Sequence, residues 1–340
     1  LMHSGNKAEA TLVDMDGETR HRWSLPFADA FPGREAESWE GGQNYWRRLH
    51  LFENGDLLVI YEGLGLVRID HDAKVVWSLA CGCHHDLYTD EDDDSPIFIL
   101  THDAEVDPRI HAYEPVLTDY VALVTKQGEL LRDLSISDAI LNSRYASLLK
   151  AGPPFGHVFH RNTIERHDGS LAVQIPLSRA GNLLIQLREL DPVIVLDPDV
   201  EEVVWSMSGG WHRQHQATMV GNGNMLVFDN RGHEGMSKVI EFDPASQHVV
   251  WEYLGTKQND FYSRTSGSVA RLPNGNTLVT ESNSGRAFEL TPDGSRAWEY
   301  RSGDRAGEDN ELVATLLEAQ RIPESFVASW LSIEDGRRTD

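Results

Sequence analysis

The chain is poor in cysteine, in long apolar runs and in positive charge. Its two cysteines, Cys81 and Cys83, are too few for a disulfide framework, and a bridge between such near neighbours would be strained. No stretch approaches the roughly 18 apolar residues that cross a bilayer as a helix, and no charged-then-apolar leader opens the sequence. The sequence starts at Leu1 and a strand pattern follows at once, so an upstream signal or anchor is expected. With 30 Lys and Arg against 54 Asp and Glu, the formal charge is −24. That excludes nucleic acid as a partner, since phosphate contacts need clustered cations, and adsorption to an anionic membrane. Unless the acidity serves only solubility or a salty habitat, an anionic ligand needs a local positive site inside a negative molecule.

What is present is a repeat. Six apolar runs end in a polar, mostly acidic turn: LVDMDGETRHRW, LVRIDHDAKVVW, ALVTKQGELL, VIVLDPDVEEVVW, VIEFDPASQHVVW and AFELTPDGSRAW. All but the third lead about one short strand later to a tryptophan, at Trp23, Trp77, Trp205, Trp251 and Trp298, whereas the third ends at Leu131. Units of this kind repeating every 40 to 50 residues or so are the sequence form of a β-propeller. The expectation is an all-β, six-bladed propeller filling residues 1–340 as a single domain, closed by its N- and C-terminal segments. Glu311 to Ile322, with apolar residues at helix or edge-strand spacing, is the expected closing segment. A helical insertion is expected at 137–154, where the spacing is helical up to a proline. Between the tryptophan phrases lie strand–turn–strand elements with ENGD, GNGN and PNGN turns, read as type I′ hairpins. The strand before each turn would be an inner one, so residues at its start should face the axis.

Those positions are rich in chemistry. His84, His85 and Asp86 open one element, His160 and Asn162 the next, and Gln214, His215 and Gln216 a third. Histidine at corresponding places in three blades would converge in one pocket, as nucleophile, acid, base, metal ligand or donor to an anion. Arg188 interrupts an apolar strand in the same stretch as His160. Its guanidinium suits a tetrahedral oxyanion, or else forms a structural ion pair with Glu189. Cys81-Gly82-Cys83-His84-His85-Asp86 crowds metal-ligand types together without the second pair of a structural zinc site.

In order and context these residues resemble the arylsulfate sulfotransferases, in a short form without the N-terminal β-domain of the large bacterial members. The resemblance covers nearly the whole chain and rests on His84-His85-Asp86, His160-Arg161-Asn162-Thr163-Ile164, LLIQLREL around Arg188, Gln214-His215 followed by NGNMLVFDN, and LPNGNTLVTES. It implies nucleotide-independent transfer of a sulfuryl group from an anionic aryl sulfate to a phenolic acceptor, with no cofactor. In that reading His215 is transiently sulfated and His85, His160, Asn162 and Arg188 bind the sulfuryl oxygens. With the start at Leu1 it also implies a periplasmic or otherwise extracytoplasmic setting. Gln216 after the nucleophile and the CGC before His84 are not explained by the resemblance. Two other readings stay open. One is a hydrolase, lyase or oxidoreductase with one divalent or soft metal ion on the axis, held by His85, His160, His215 and Cys83. The other is a binding module without chemistry.

Overall fold

The computed structural model describes residues 1–35, 41–153, 156–233 and 235–335. Six antiparallel sheets form the blades of a propeller, and four strands in each run outward from the axis. Blade 1 joins Leu316–Ala319 to Met2–Ser4, Glu9–Val13 and Thr19–Ser24, so both ends of the chain build it. Blades 2 to 6 begin innermost with Trp46–Leu51, Cys83–Tyr88, Arg161–Arg166, His215–Met219 and Ser268–Arg271. In blade 3 the two-residue strand Gly156–His157 pairs in parallel with Val116–Val124. Middle strands such as Leu57–Tyr61 and Val193–Asp197 are buried throughout, while outer ones such as Val75–Ala80 alternate exposed and half-buried. Each of the six hydrophobic clusters bridges one pair of neighbouring blades. The apolar core is therefore a ring of interfaces, and the axis is left to polar side chains.

The repeated phrase has a physical reason at both ends. Its turn residue caps the turn: Asp14 Oδ1 accepts from the backbone of Asp16 and Glu18, Asp70 from Asp72 and Lys74, and Thr125 Oγ1 from Gln127 and Glu129. The tryptophan then ties one blade to the next. Trp77 Nε1 donates to the Lys126 carbonyl at 2.8 Å, Trp251 to Pro292 at 2.9 Å and Trp298 to Met15 at 3.5 Å, each carbonyl directly following the next blade's turn residue. In blade 3 the register puts Arg132, not Leu131, at this position, and its guanidinium donates to the Pro198 carbonyl at 2.9 Å. In blade 1 His21 takes the place, reaching the His71 carbonyl at 2.9 Å, and Trp23 lies two residues further on in the core.

The hairpins differ from the expected form. In all three Asn-Gly turns only the glycine has positive φ (Gly55 87°, Gly223 88°, Gly275 86°), and the asparagine side chain accepts from the backbone two residues on. These are longer loops with glycine at the left-handed position, because the asparagine spends its side chain on the turn. The insertion expected at 137–154 begins one residue into a short helix, Ile136–Leu141, and holds a 3₁₀ turn, Ala146–Lys150; its last residue, 154, falls outside the described residues. Of the tail, Leu316–Ala319 is neither helix nor outer edge but the innermost strand of blade 1. Among the described residues no helix is long and apolar enough to cross a membrane.

Candidate active site

Counted back from the hairpins, Arg47, His85, Asn162, His215 and Gly267 hold equivalent positions in blades 2 to 6. All five line one axial cavity of about 20 Å³, with Arg48, Thr163, Gln216 and Leu317. Such a volume holds about one water. The inner strands of blades 2 to 5 break register here, and His85 (φ 58°) and Gln216 (φ 46°) adopt left-handed backbone. A bulge of this kind re-aims side chains, here toward the axis. His85 and His215 are thus equivalent, but in blade 4 the matching residue is Asn162. His160 lies two positions earlier, with its ring centroid 4.8 Å from that of His85 and the two rings nearly perpendicular.

His215 is held in one tautomer. Asn230 Nδ2 donates to the carbonyls of Ser263 and Ser266, both at 2.7 Å, so its Oδ1 faces the His215 ring and accepts from Nδ1–H at 2.6 Å. The lone pair is consequently on Nε2, where the Ser266 N–H touches it at 3.2 Å. Burial, with Arg188 next in effect, pushes the His215 pKa down to about 3. The ring is a neutral imidazole at any physiological pH.

The other histidines form a closed chain of ring contacts. His102 stacks on His84 at 4.4 Å, His84 meets His85 at 4.8 Å, His160 meets His157 at 5.1 Å, and His157 returns to His102 at 5.6 Å. Burial holds His84, His85 and His160 well below the ordinary imidazole range, helped by neighbouring histidines and by Arg47 at His85; His102 is brought to about 4. Fully buried Arg161 anchors the chain, donating to the Tyr120 carbonyl at 2.6 Å, the Thr101 carbonyl at 2.7 Å and Asp119 at 2.5 Å.

Positive charge at the centre is matched by acid. Arg47 Nε pairs with Glu62 at 3.2 Å, Arg48 bridges Asp86 and Glu318 at 2.6 Å each, and Arg188 Nη1 pairs with Glu189 at 2.6 Å. Arg188 thus makes the ion pair its sequence neighbour allowed, yet its buried Nε has no partner. Asn162 Oδ1 is likewise buried and unpartnered. Cys81 and Cys83 face each other, Sγ to Sγ 2.8 Å, and Cys83 belongs to the apolar cluster between blades 2 and 3. Among the described residues, the groups whose ligand atoms converge are Glu62–His84–His85 and His84–His102–Asp119. Neither contains Cys83, His160 or His215.

A family model described as Arylsulfotransferase (ASST) matches residues 48–303, well over half of the chain. The chain belongs to the arylsulfotransferase family. No curated protein matches it. Among solved structures, a protein of unknown function from Bacteroides caccae shares the fold at a TM-score of 0.57 and 13% identity, covering 92% of this chain and 94% of that one. The Dos1 propeller aligns over 84% of this chain and 65% of that one, at a TM-score of 0.47 and 12% identity. Virginiamycin B lyase from Staphylococcus aureus aligns over 87% and 78%, at 0.48 and 10%. In this arylsulfotransferase-family site, Arg47, Glu62, His102, Asp119 and Asn230 escaped the sequence reading. Arg47 was within reach of it, since RRLHLFENGD places it at the register of His215. Asn230 comes from a second strand and Glu62 from the turn directly after one, at the end of an apolar run that pattern alone assigns to the core.

Proposed function

We propose that this chain transfers a sulfuryl group from an aryl sulfate to a phenol through a transient sulfo-histidine on His215. The observation that carries the reading is the neutral His215 ring, its proton committed to Asn230 and its Nε2 lone pair turned toward a cavity shared with Arg47, His85 and Asn162. In the first step Nε2 attacks sulfur in line, the N–S bond forms and the S–O(aryl) bond breaks, releasing the phenolate. Asn230 Oδ1 keeps the Nδ1 proton of the imidazolium that results. In the second step the acceptor oxygen attacks sulfur, loses its proton to a neighbouring imidazole, His85 or His160, and the N–S bond breaks. In the first step the leaving group departs as the phenolate, since the neutral rings have no proton to give, and the proton that the imidazole takes up in the second step passes on to solvent. Charge on the three sulfuryl oxygens falls to Arg47, the unspent Nε of Arg188 and the Asn162 amide. No cofactor is required, because an aryl sulfate already has a good leaving group. The cavity is too small for an aryl ring, so the segment carrying Ser266 has to swing aside and free Nε2 as substrate binds. A periplasmic or other extracytoplasmic setting belongs to this reading.

Intact-mass spectrometry after mixing with p-nitrophenyl sulfate tests it. The expected result is a gain of about 80 Da on His215 that disappears on adding a phenol, as a covalent intermediate requires. Equal turnover by wild type and His215→Ala would overturn the mechanism.

A further inference from the structure

Buried Arg161 decides where the hydrogens of the histidine chain sit, and the effect reaches the axial cavity. Its Nη2 lies 3.1 Å from His84 Nε2, 2.7 Å from the Thr101 carbonyl and 2.5 Å from Asp119 Oδ1. A guanidinium has hydrogens and no lone pair to offer, so the His84 nitrogen that faces it is an acceptor. A neutral imidazole carries one N–H, and burial keeps His84 neutral. Its hydrogen is therefore on Nδ1, which donates to His85 Nδ1 at 2.7 Å. That uses the one lone pair of the neutral His85 ring and leaves its hydrogen on Nε2. Glu62 Oε1 stands 3.2 Å from the same Nδ1, while Oε2 pairs with Arg47. An N–H on His85 Nδ1 would suit an ionised Glu62, but it would turn His84 Nε2–H onto Arg161. Burial raises the Glu62 pKa, which lets Oε1 hold the proton that this arrangement asks of it. Arg161, His84, His85 and Glu62 side chains are 0%, 1%, 11% and 4% exposed, so water has little room to rearrange them.

We infer that Arg161 and His84 are positioning residues that lock His85 with its hydrogen on Nε2, a fixed donor to the sulfuryl oxygens, and that the base of the second step is His160. The inference rests on the sulfuryl-transfer reading. His85 lines the axial cavity, and among the described residues its Nε2 has no protein partner. Its lone pair, closed in by His84 and Glu62, is out of reach of an acceptor phenol. His160, with its ring centroid 4.8 Å from that of His85, has no hydrogen-bond partner for its ring among the described residues, so nothing fixes its tautomer. In the second step the phenol oxygen attacks sulfur, the bond from sulfur to His215 Nε2 breaks, and the phenol proton passes to His160 and on to solvent. Asn230 sets His215 the opposite way, with hydrogen on Nδ1 and the lone pair on Nε2. The cavity thus holds two neutral imidazoles in opposite tautomers, one to attack and one to donate, and a donor already aimed needs no reorganisation as charge develops.

Nitrogen NMR of the whole chain labelled with ¹⁵N-histidine reads the tautomers without turnover. His85 should show a protonated Nε2 and a bare Nδ1, and His84 the reverse, with a coupling across the hydrogen bond between the two Nδ1 atoms. A hydrogen on His85 Nδ1 overturns the inference. In His84→Leu, Glu62 is free to ionise and draw the His85 hydrogen to Nδ1, and kcat/KM for p-nitrophenyl sulfate should fall about 10²- to 10³-fold, as when an oxyanion donor is lost. A folded His84→Leu with the wild-type His85 signals removes His84 from the lock; should it not fold, the wild-type spectrum decides. Glutamine keeps an N–H donor, so His85→Gln should recover at least about 10-fold of the rate that His85→Ala loses. Equal rates in those two variants overturn the donor role. His160→Gln should slow breakdown of sulfo-His215 by a phenol about 10²- to 10⁴-fold, and breakdown at the wild-type rate overturns its assignment as base. A missing sulfo-histidine would leave the tautomers to be read by NMR, and a displaced His85 hydrogen would leave the sulfo-histidine standing.

Discussion

Replacing His215 by glutamine should make the protein less sensitive to acid, and the size of the change follows from one ring. An imidazole in the unfolded chain takes its proton near pH 6.5, whereas His215 in the fold resists protonation until about pH 3. Because the folded value is the lower one, the unfolded state binds the proton first. The associated stability is intact above pH 6.5 and is lost as pH falls toward 3. Each pH unit in that window costs about 1.4 kcal/mol, so at pH 5 His215 alone removes about 2 kcal/mol, set against total stabilities of about 5–15 kcal/mol. Asp86, raised by burial to about 6, and Glu165, raised to about 8, act in the opposite direction over the same range. The comparison must therefore be wild type against variant at one pH. Urea unfolding followed by tryptophan fluorescence at pH 7 and pH 5 provides it. The stability of wild type relative to His215→Gln should fall by about 2 kcal/mol between the two. A difference that stays constant within about 0.5 kcal/mol would mean that the ring titrates normally, and the argument for a buried neutral nucleophile would fail with it.

Arg47→Ala and Arg188→Ala should each lower kcat/KM for an activated aryl sulfate by about 10² to 10³, as loss of an oxyanion donor does; wild-type rates in either would remove that arginine from the site. Asn230→Ala frees the His215 tautomer and should lower kcat about 10- to 100-fold with KM little changed, which steady-state kinetics would show. Gly267 has φ 132° and a side chain there would come within 2.7 Å of Phe228, so Gly267→Ala should cost about 1–3 kcal/mol in denaturant titration. Trp77→Phe removes the link to Lys126 and should cost about 1 kcal/mol, seen as a lower thermal midpoint.

The blade count was legible because the repeats carry a capped turn and, in five of the six blades, a side-chain donor that reaches the next blade, and both are side-chain chemistry written locally. Where the donor changed type, at His21 and Arg132, spacing alone misled, because Trp23 and Leu131 stand near the right place without holding it. The axial residues were half legible for the same reason. His85, Asn162 and His215 could be found from strand starts, but the bulges that aim them, and the shift that sets His160 two residues aside, arise from pairing that no local pattern records. Glu62, His102 and Asp119 were out of reach, since in sequence Glu62 is a turn residue after a second strand and the other two are polar residues on second and third strands, and only the assembled ring brings them to His84 and His85.

The innermost strand of blade 1 carries a consequence beyond architecture. Leu316–Ala319 supplies Leu317 to the cavity wall and Glu318 to Arg48, although the chain has by then already laid down the other five blades. The wall of the axial cavity closes only when this strand pairs with Met2–Ser4. A chain clipped before Leu316 would keep blades 2 to 6 and lose both Leu317 from that wall and the Glu318 partner of Arg48.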